Sequence, residues 1–289
     1  MASTAANAIH GLGSFIHDAT IFNKLRRPLD YGGSTRYDTL DGQGLYRPCG
    51  AARWEALGLV PGTWHPRGQR LYLPAHFEEN RIGVLHALMR ARPLATLVTQ
   101  CDSGLEANHV PVETLSEPLP HGTIQGHIAR ANPLWRSYRA ESQALAIFQG
   151  PQVYISPSFY PSKQATGEVV PTWDYAVVHA RGVLRVVQDD TWLRALVARL
   201  TDAHEAARRL PWKIDDAPPP YIEKMLSLIV GFEFSIISLT GKWKLSQNHP
   251  AANRRGVMAG LRTADGEDSR QVADMLESLE KERANEPQG

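Results

Sequence analysis

Seven short runs rich in Val, Ile, Thr, Tyr and Phe, each closed by a turn signal, occupy residues 94–100, 105–112, 123–127, 144–148, 153–156, 175–187 and 232–239. Runs of that length and composition read as β-strands. Helical periodicity is confined to short segments between some of them and to the two ends, so most neighbouring strands are joined by turns, as an antiparallel sheet requires. An open sheet of this kind presents two unpaired edges, and curling into a closed or half-closed barrel hides them. The expected fold class is α+β, a mainly antiparallel barrel with peripheral helices.

Local signals place the pieces. Ile82, Leu85, Leu88 and Met89 fall on one helical face, and Arg92-Pro93 ends that helix. The strand 94–100, the turn Cys101-Asp102-Ser103-Gly104 and the strand 105–112 form a hairpin. Asn132-Pro133 opens a short helix, with Asn as cap and Pro at the first helical position. A helix capped by Asp189 carries Trp192, Leu193, Leu196, Val197 and Leu200. Another, after Pro218-Pro219-Pro220, carries Ile222, Met225, Leu226 and Ile229. The C-terminal end reads as a charged helix over 272–281 and a polar tail. Residues 1–70 lack sustained periodicity and read as a weakly structured, mildly basic N-terminal extension.

Composition removes whole classes. At 43 % hydrophobic and 21 % charged, the 289 residues are those of an ordinary globular protein. Lys and Arg number 31 against 30 Asp and Glu, a net +1, so nothing indicates a protein that coats nucleic acid by neutralising phosphates. Cys49 and Cys101 are too few and too far apart for a disulfide framework or paired zinc ligands, which points to a reducing cytoplasm. No stretch reaches the roughly 20 apolar residues of a membrane span.

Three segments can carry chemistry. In 125–135, Arg130 stands at a strand-to-helix junction with open N–H groups, the place where an anion sits. A solvated arginine beside a helix cap fits the same letters. In 149–163 and 170–175, aromatic, prolyl and hydroxyl residues can wall a planar ligand or simply seal the core. In 240–250, Lys242 and Lys244 flank Trp243 as a cationic lip or a solvated basic turn. Metal readings fail: Arg208 occupies the position where a second zincin histidine would follow His204-Glu205, and His109, His127 and His179 are lone strand histidines. There is no Gly-rich phosphate loop, nucleophile elbow or catalytic dyad, so no catalytic residue is assigned.

Taken together, six ordered motifs resemble the PaiB-like family of FMN-binding negative transcriptional regulators, within the flavin-binding split-barrel superfamily. They are Gly104-Leu105-Glu106-Ala107-Asn108-His109, Ala129-Arg130-Ala131-Asn132-Pro133-Leu134-Trp135, Phe148-Gln149-Gly150-Pro151, Ser156-Pro157-Ser158, Val170-Pro171-Thr172-Trp173 and Gly241-Lys242-Trp243-Lys244-Leu245-Ser246-Gln247. The resemblance runs from Leu71 to about residue 262. It leaves 1–70 and 263–289 outside, and suggests Leu71 as the native initiator position. It implies a split β-barrel homodimer with FMN at the subunit interface. The isoalloxazine is expected near Thr96, Leu97, Val98, Asn108 and His109. The phosphate is expected on Arg130 and the N–H groups of Ile128 and Ala129, with His127 and Asn132 beside them. Trp173 also belongs to the expected binding set, and Lys242, Ser246 and Gln247 would reach in from the partner. Where the family pattern has Asn after Trp173, this chain has Asp174.

The leading functional reading is therefore a flavin-binding regulator that acts through flavin or ligand occupancy. Its DNA association is expected to be weak, salt-sensitive or indirect, because the charge balance offers no concentrated basic face. An FMN-dependent oxidoreductase, a haem-handling split barrel and a ligand-sensing module without turnover fit the same residues.

Overall fold

The computed structural model describes residues 71–139 and 142–285; the expectations for residues 1–70 lie outside them. The strands are β1 (Glu78–Glu79), β2 (Leu94–Cys101), β3 (Gly104–Leu115), β4 (Thr123–Ala129), β5 (Ala144–Ile155), β6 (Thr172–Val187) and β7 (Ile229–Lys244). The helices are α1 (Ile82–Ala91), α2 (Leu134–Ser137), α3 (Ser162–Ala165), α4 (Asp190–Glu205), α5 (Pro219–Leu226), α6 (Ala251–Thr263) and α7 (Glu267–Asn285). In the sheet β7, β4, β3, β2, β5 and β6 follow one another, and β6 pairs back onto β7, so six antiparallel strands close a barrel. β1 lies on the far edge of β7, with Glu78 opposite Lys242 and Glu79 opposite Gly241.

Alternation along each strand fills the barrel. β2 turns Ala95, Leu97, Thr99 and Cys101 inward and leaves Thr96, Val98 and Gln100 outside. Phe148, Phe234, Ile124 and Ile155 are completely buried, as are Leu85 and Met89 of α1. The segment expected to finish the chain as an appendage contributes Val272, Ala273 and Leu276 to this same core, because α7 packs on β5 and on α6. α4 and α5 enclose a smaller cluster of Leu193, Ile214, Ile222 and Leu226. The Asp189 cap is present, its carboxylate accepting from Trp192 N at 2.7 Å.

The structure differs from the sequence expectation in how seven strands arise. The runs 144–148 and 153–156 are one strand, β5, whose pairing with β6 shifts register between Gln149 and Gln152. Gly150-Pro151 looks like a strand break in sequence and is a β-bulge in the fold. The seventh strand is β1, too short to show a period. A second bulge lies at Arg181/Gly182 where β6 closes on β7. Ile229, expected on the apolar face of the helix after Pro220, instead begins β7.

One discontinuity positions the candidate site. β3 and β4 pair from Leu115↔Thr123 only as far as Val112↔Gly126. Beyond that point β3 runs on with β2 down to Gly104, and β4 runs on with β7 to Ala129. The barrel is split there, and residues 104–109 of β3 are wholly or partly exposed on both faces.

Candidate functional site

Backbone donors face the split. Arg130 N donates to Leu228 O at 2.8 Å, and alternate residues of an antiparallel strand point their N–H groups to opposite sides. The N–H of Ile128 therefore shares the β7 side, whereas that of Ala129 faces the gap. The side chain of Ile128 is buried in the core. Of the two N–H groups expected on the phosphate, only Ala129 is open to a ligand.

Asn132 bridges the split: its Nδ2 donates to Asn108 Oδ1 at 2.8 Å, and its Oδ1 accepts from Leu134 N at 2.9 Å, starting α2. Thr96 Oγ1 lies 3.1 Å from His109 Nδ1 on the outer face. The tertiary structure thus joins Asn132 to Asn108 across the split and Thr96 to His109 on the outer face, while Asn108, in register with the inward Leu97, points to the opposite face of β3 from His109. Leu97 is 2 % exposed and offers a ligand no side-chain surface there. His127 faces outward opposite Gly231, where Trp192 fills the space a side chain would take. Burial holds its imidazole below the usual histidine range, and its Nδ1 has no hydrogen-bond partner.

Arg130 is not merely solvated, because three of its donors already hold groups within the protomer. Its Nε donates to Ser227 O at 2.8 Å, Nη2 to Ile229 O at 3.0 Å and Nη1 to Gln188 Oε1 at 3.3 Å. The guanidinium is a staple between the end of β4 and the start of β7. It still has two further N–H groups, since it carries five in all. Trp135 Nε1 donates to Arg130 O at 3.0 Å, and the indole is flanked by the guanidiniums of Arg130 at 5.8 Å and Arg136 at 4.3 Å from its centroid. Arg136 was not among the sequence candidates, although its place one residue after Trp135 made it readable as a second cation of this corner.

Strand register also builds a face that the sequence did not show. Thr240, His179, Ile147, Thr96 and His109 lie side by side across five strands; Ser238, Arg181, Leu145, Val98 and Ala107 form the next row. At about 4.8 Å between strands each row spans roughly 19 Å, wide enough for a planar ring system. Burial, with Arg181 nearby, keeps the His179 imidazole below its ordinary range.

The remaining candidates stand at the other end of β7. Ile229, which pairs with Ala129, and Lys242 are thirteen residues apart, on the order of 40 Å along the strand. Lys242 is 6 % exposed, donates to Tyr72 O at 2.9 Å and lies near the Tyr72 and Tyr175 rings. Ser246 is buried with its Oγ donating to Asp174 Oδ2 at 2.7 Å. The Gln247 amide braces its own turn, accepting from Leu245 N at 2.6 Å and donating to Trp243 O at 2.5 Å. Within the protomer neither Ser246 nor Gln247 presents a free polar group outward. Trp173 does face out, 48 % exposed and edge-on to Tyr154 at 6.2 Å.

A closed barrel whose split offers an open main-chain donor, amide and hydroxyl groups and cations beside an outer face of mixed aliphatic and polar residues carries the groups of a cofactor-binding barrel, and the donor set suits a phosphate-bearing planar group. The family model described as "Putative FMN-binding domain" matches residues 71–238. The chain belongs to this PaiB-like FMN-binding family, and its cofactor is a flavin. An uncharacterised protein of Emericella nidulans is 31 % identical over 241 residues, covering 71 % of this chain and 96 % of the relative. The Bacillus subtilis "Protease synthase and sporulation protein PAI 2" is 30 % identical over 207 residues, covering 72 % and 97 %. Among solved structures, a flavocytochrome of Azotobacter vinelandii aligns with a TM-score of 0.46 at 11 % identity, over 61 % of this chain and 74 % of that one. An FAD and heme binding protein of Mycobacterium smegmatis aligns with a TM-score of 0.45 at 15 % identity, over 63 % and 80 %. No helix among the described residues is long and apolar enough to cross a membrane.

Proposed function

We propose that the chain is a homodimeric FMN-binding regulator whose output depends on occupancy of the flavin site. The observation that carries the site is the split itself, where the β3–β4 ladder stops at Val112↔Gly126 and Asn132 reaches across to Asn108. The phosphate is assigned to the Ala129 N–H, Arg130 and Asn132, and the ring system to the outer face at Thr96, Val98 and His109, with Asn108 at the split edge beside Asn132. Bound there, a flavin supplies a redox-active ring, while the protein supplies position and electrostatics.

The distance between the two ends of β7 supports a dimer. Ala129 and Lys242 stand at opposite ends of that strand, and Lys242 and Trp173 are assigned to a flavin held by the other copy, with Ser246 and Gln247 shaping that lip from inside. The half-buried aliphatic face of Val98, Leu145 and Ile147 is the surface such a partner covers. Regulation is supported by the name of the Bacillus subtilis relative, which refers to protease synthesis and sporulation. Control through a protein partner fits the net +1 charge better than direct DNA reading.

Heat-released cofactor is expected to run as FMN on chromatography, at one per protomer, from a species that light scattering sizes as a dimer. FAD, no flavin after reconstitution, or a monomer that keeps FMN tightly would overturn the assignment. Gel shifts at physiological salt should be weak and salt-sensitive. Rapid saturable turnover with a nicotinamide donor would instead make the chain an oxidoreductase.

A further inference from the structure

Beneath the Tyr154–Trp173 ring pair lies a buried polar cluster centred on Asp174, a residue to which the proposed flavin site gives no role. Asp174 is 0 % exposed. Its Oδ2 accepts from Ser246 Oγ at 2.7 Å, while its Oδ1 has no hydrogen-bond partner and sits 3.5 Å from Lys244 Nζ. Lys244 Nζ in turn donates to Thr172 Oγ1 at 2.6 Å and to Trp173 O at 2.5 Å. Tyr160 Oη is also buried without a partner, and its ring lies 5.0 Å from that of His249. Two orphaned polar atoms in one cluster are costly unless a proton or ligand completes them.

The turn above the carboxyl is under strain. Ser246 has φ of 59°, the only non-glycine among the described residues with positive φ, a conformation that persists only where the surroundings enforce it. Its enforcement comes from the bond to Asp174 and from the Gln247 amide bracing the same turn.

We propose that Asp174 is a proton-operated latch that sets the position of the Tyr154–Trp173 ring pair through Lys244 and the Ser246 turn. Ionised, the carboxylate draws Lys244 inward, and the ammonium holds the backbone of Trp173. On gaining a proton from solvent, the carboxyl loses its charge, Lys244 loses its counter-charge, and its hold on the Trp173 backbone slackens. The titratable groups that face Asp174 are Lys244 at the end of β7 and Tyr160 after β5, with His249 stacked behind Tyr160. Burial raises the Asp174 carboxyl above the usual carboxylate range against the opposing pull of Ser246 and Lys244. Burial raises the Tyr160 phenol, and burial, then Lys244, lowers His249. The latch needs no cofactor, so it stands or falls separately from the flavin site.

The test titrates the full chain as purified, upward from the ordinary carboxylate range at about pH 4 to about pH 9. It follows the part of the tryptophan emission lost in Trp173→Phe. Wild type is expected to show a one-proton transition, and Asp174→Asn a flat profile. The melting temperature of Asp174→Asn relative to wild type should rise with pH through the window above the ordinary carboxylate range, because a folded pKa raised by burial penalises the ionised native state there. In Lys244→Met, which leaves the carboxyl in place, the transition should move up by about one pH unit. A transition that survives in Asp174→Asn, no transition in wild type, or an unmoved midpoint in Lys244→Met overturns the latch.

Discussion

Arg130→Ala is expected to weaken FMN binding by about 2 to 3 kcal/mol, roughly a 30- to 150-fold rise in Kd, the scale of a charge-assisted hydrogen bond lost from a partly buried anion. The same substitution should lower the melting temperature, because Ser227 O and Ile229 O both lose the guanidinium that now satisfies them. Titrating apoprotein with FMN by fluorescence quenching, with thermal melts alongside, separates the two effects. Arg130→Lys keeps a positive charge but cannot reproduce a three-way planar fork, so it should recover part of the affinity and little of the stability. A variant that melts early yet binds FMN like wild type would reduce Arg130 to a backbone staple and move the phosphate to Ala129, Asn132 and Arg136.

Gly182→Ala should be a severely damaging single-methyl change in the barrel. A Cβ at that position would lie 2.1 Å from Ser235 O and 2.5 Å from the Phe234 ring, and the oxygen belongs to the paired strand and cannot swing away. Position 182 also takes up the register shift through which β6 closes on β7, so relieving the clash means parting the two longest strands. A loss of about 3 kcal/mol corresponds, for a domain of this size, to roughly 6 to 12 °C in melting temperature. Gly83→Ala is the control: nothing lies within 4 Å of its Cβ, and alanine favours the α1 helix by about 0.5 to 1 kcal/mol. Similar melts for the two variants would mean that the bulge tolerates a side chain and that the barrel does not depend on it for closure.

Much of the architecture was legible because its signals are local. The hairpin of β2 and β3, the helix ending at Arg92-Pro93 and the Asp189 cap each depend on residues within a few positions of one another. The junction at Asn132-Pro133 is legible for the same reason, and Asn132 does start the short helix there by accepting from Leu134 N. What misled was local appearance with a distant cause. Gly150-Pro151 reads as a break, yet β6 pairs on both sides of it and makes it a bulge. The Lys242–Gln247 segment could be read as a solvated basic turn, yet Asp174 and Tyr72, both remote in sequence, hold Ser246 and Lys242 in buried bonds.

By itself the sequence determined the strand-rich composition, the alternation that fills one face of each strand, the places where the chain must turn, and the family to which it belongs. Only the tertiary structure decided which strand pairs with which, and so where β3 and β4 part, which residues line up across the outer face, and that Asp174 is sealed beneath Trp173. The reason is that alternation assigns a side chain to the inside or outside of its own strand and carries no record of its neighbour. Partners are selected by barrel closure, in which Thr96 meets His109 and Ile147 across ladders joining segments up to about fifty residues apart, and there the split and its open donor arise.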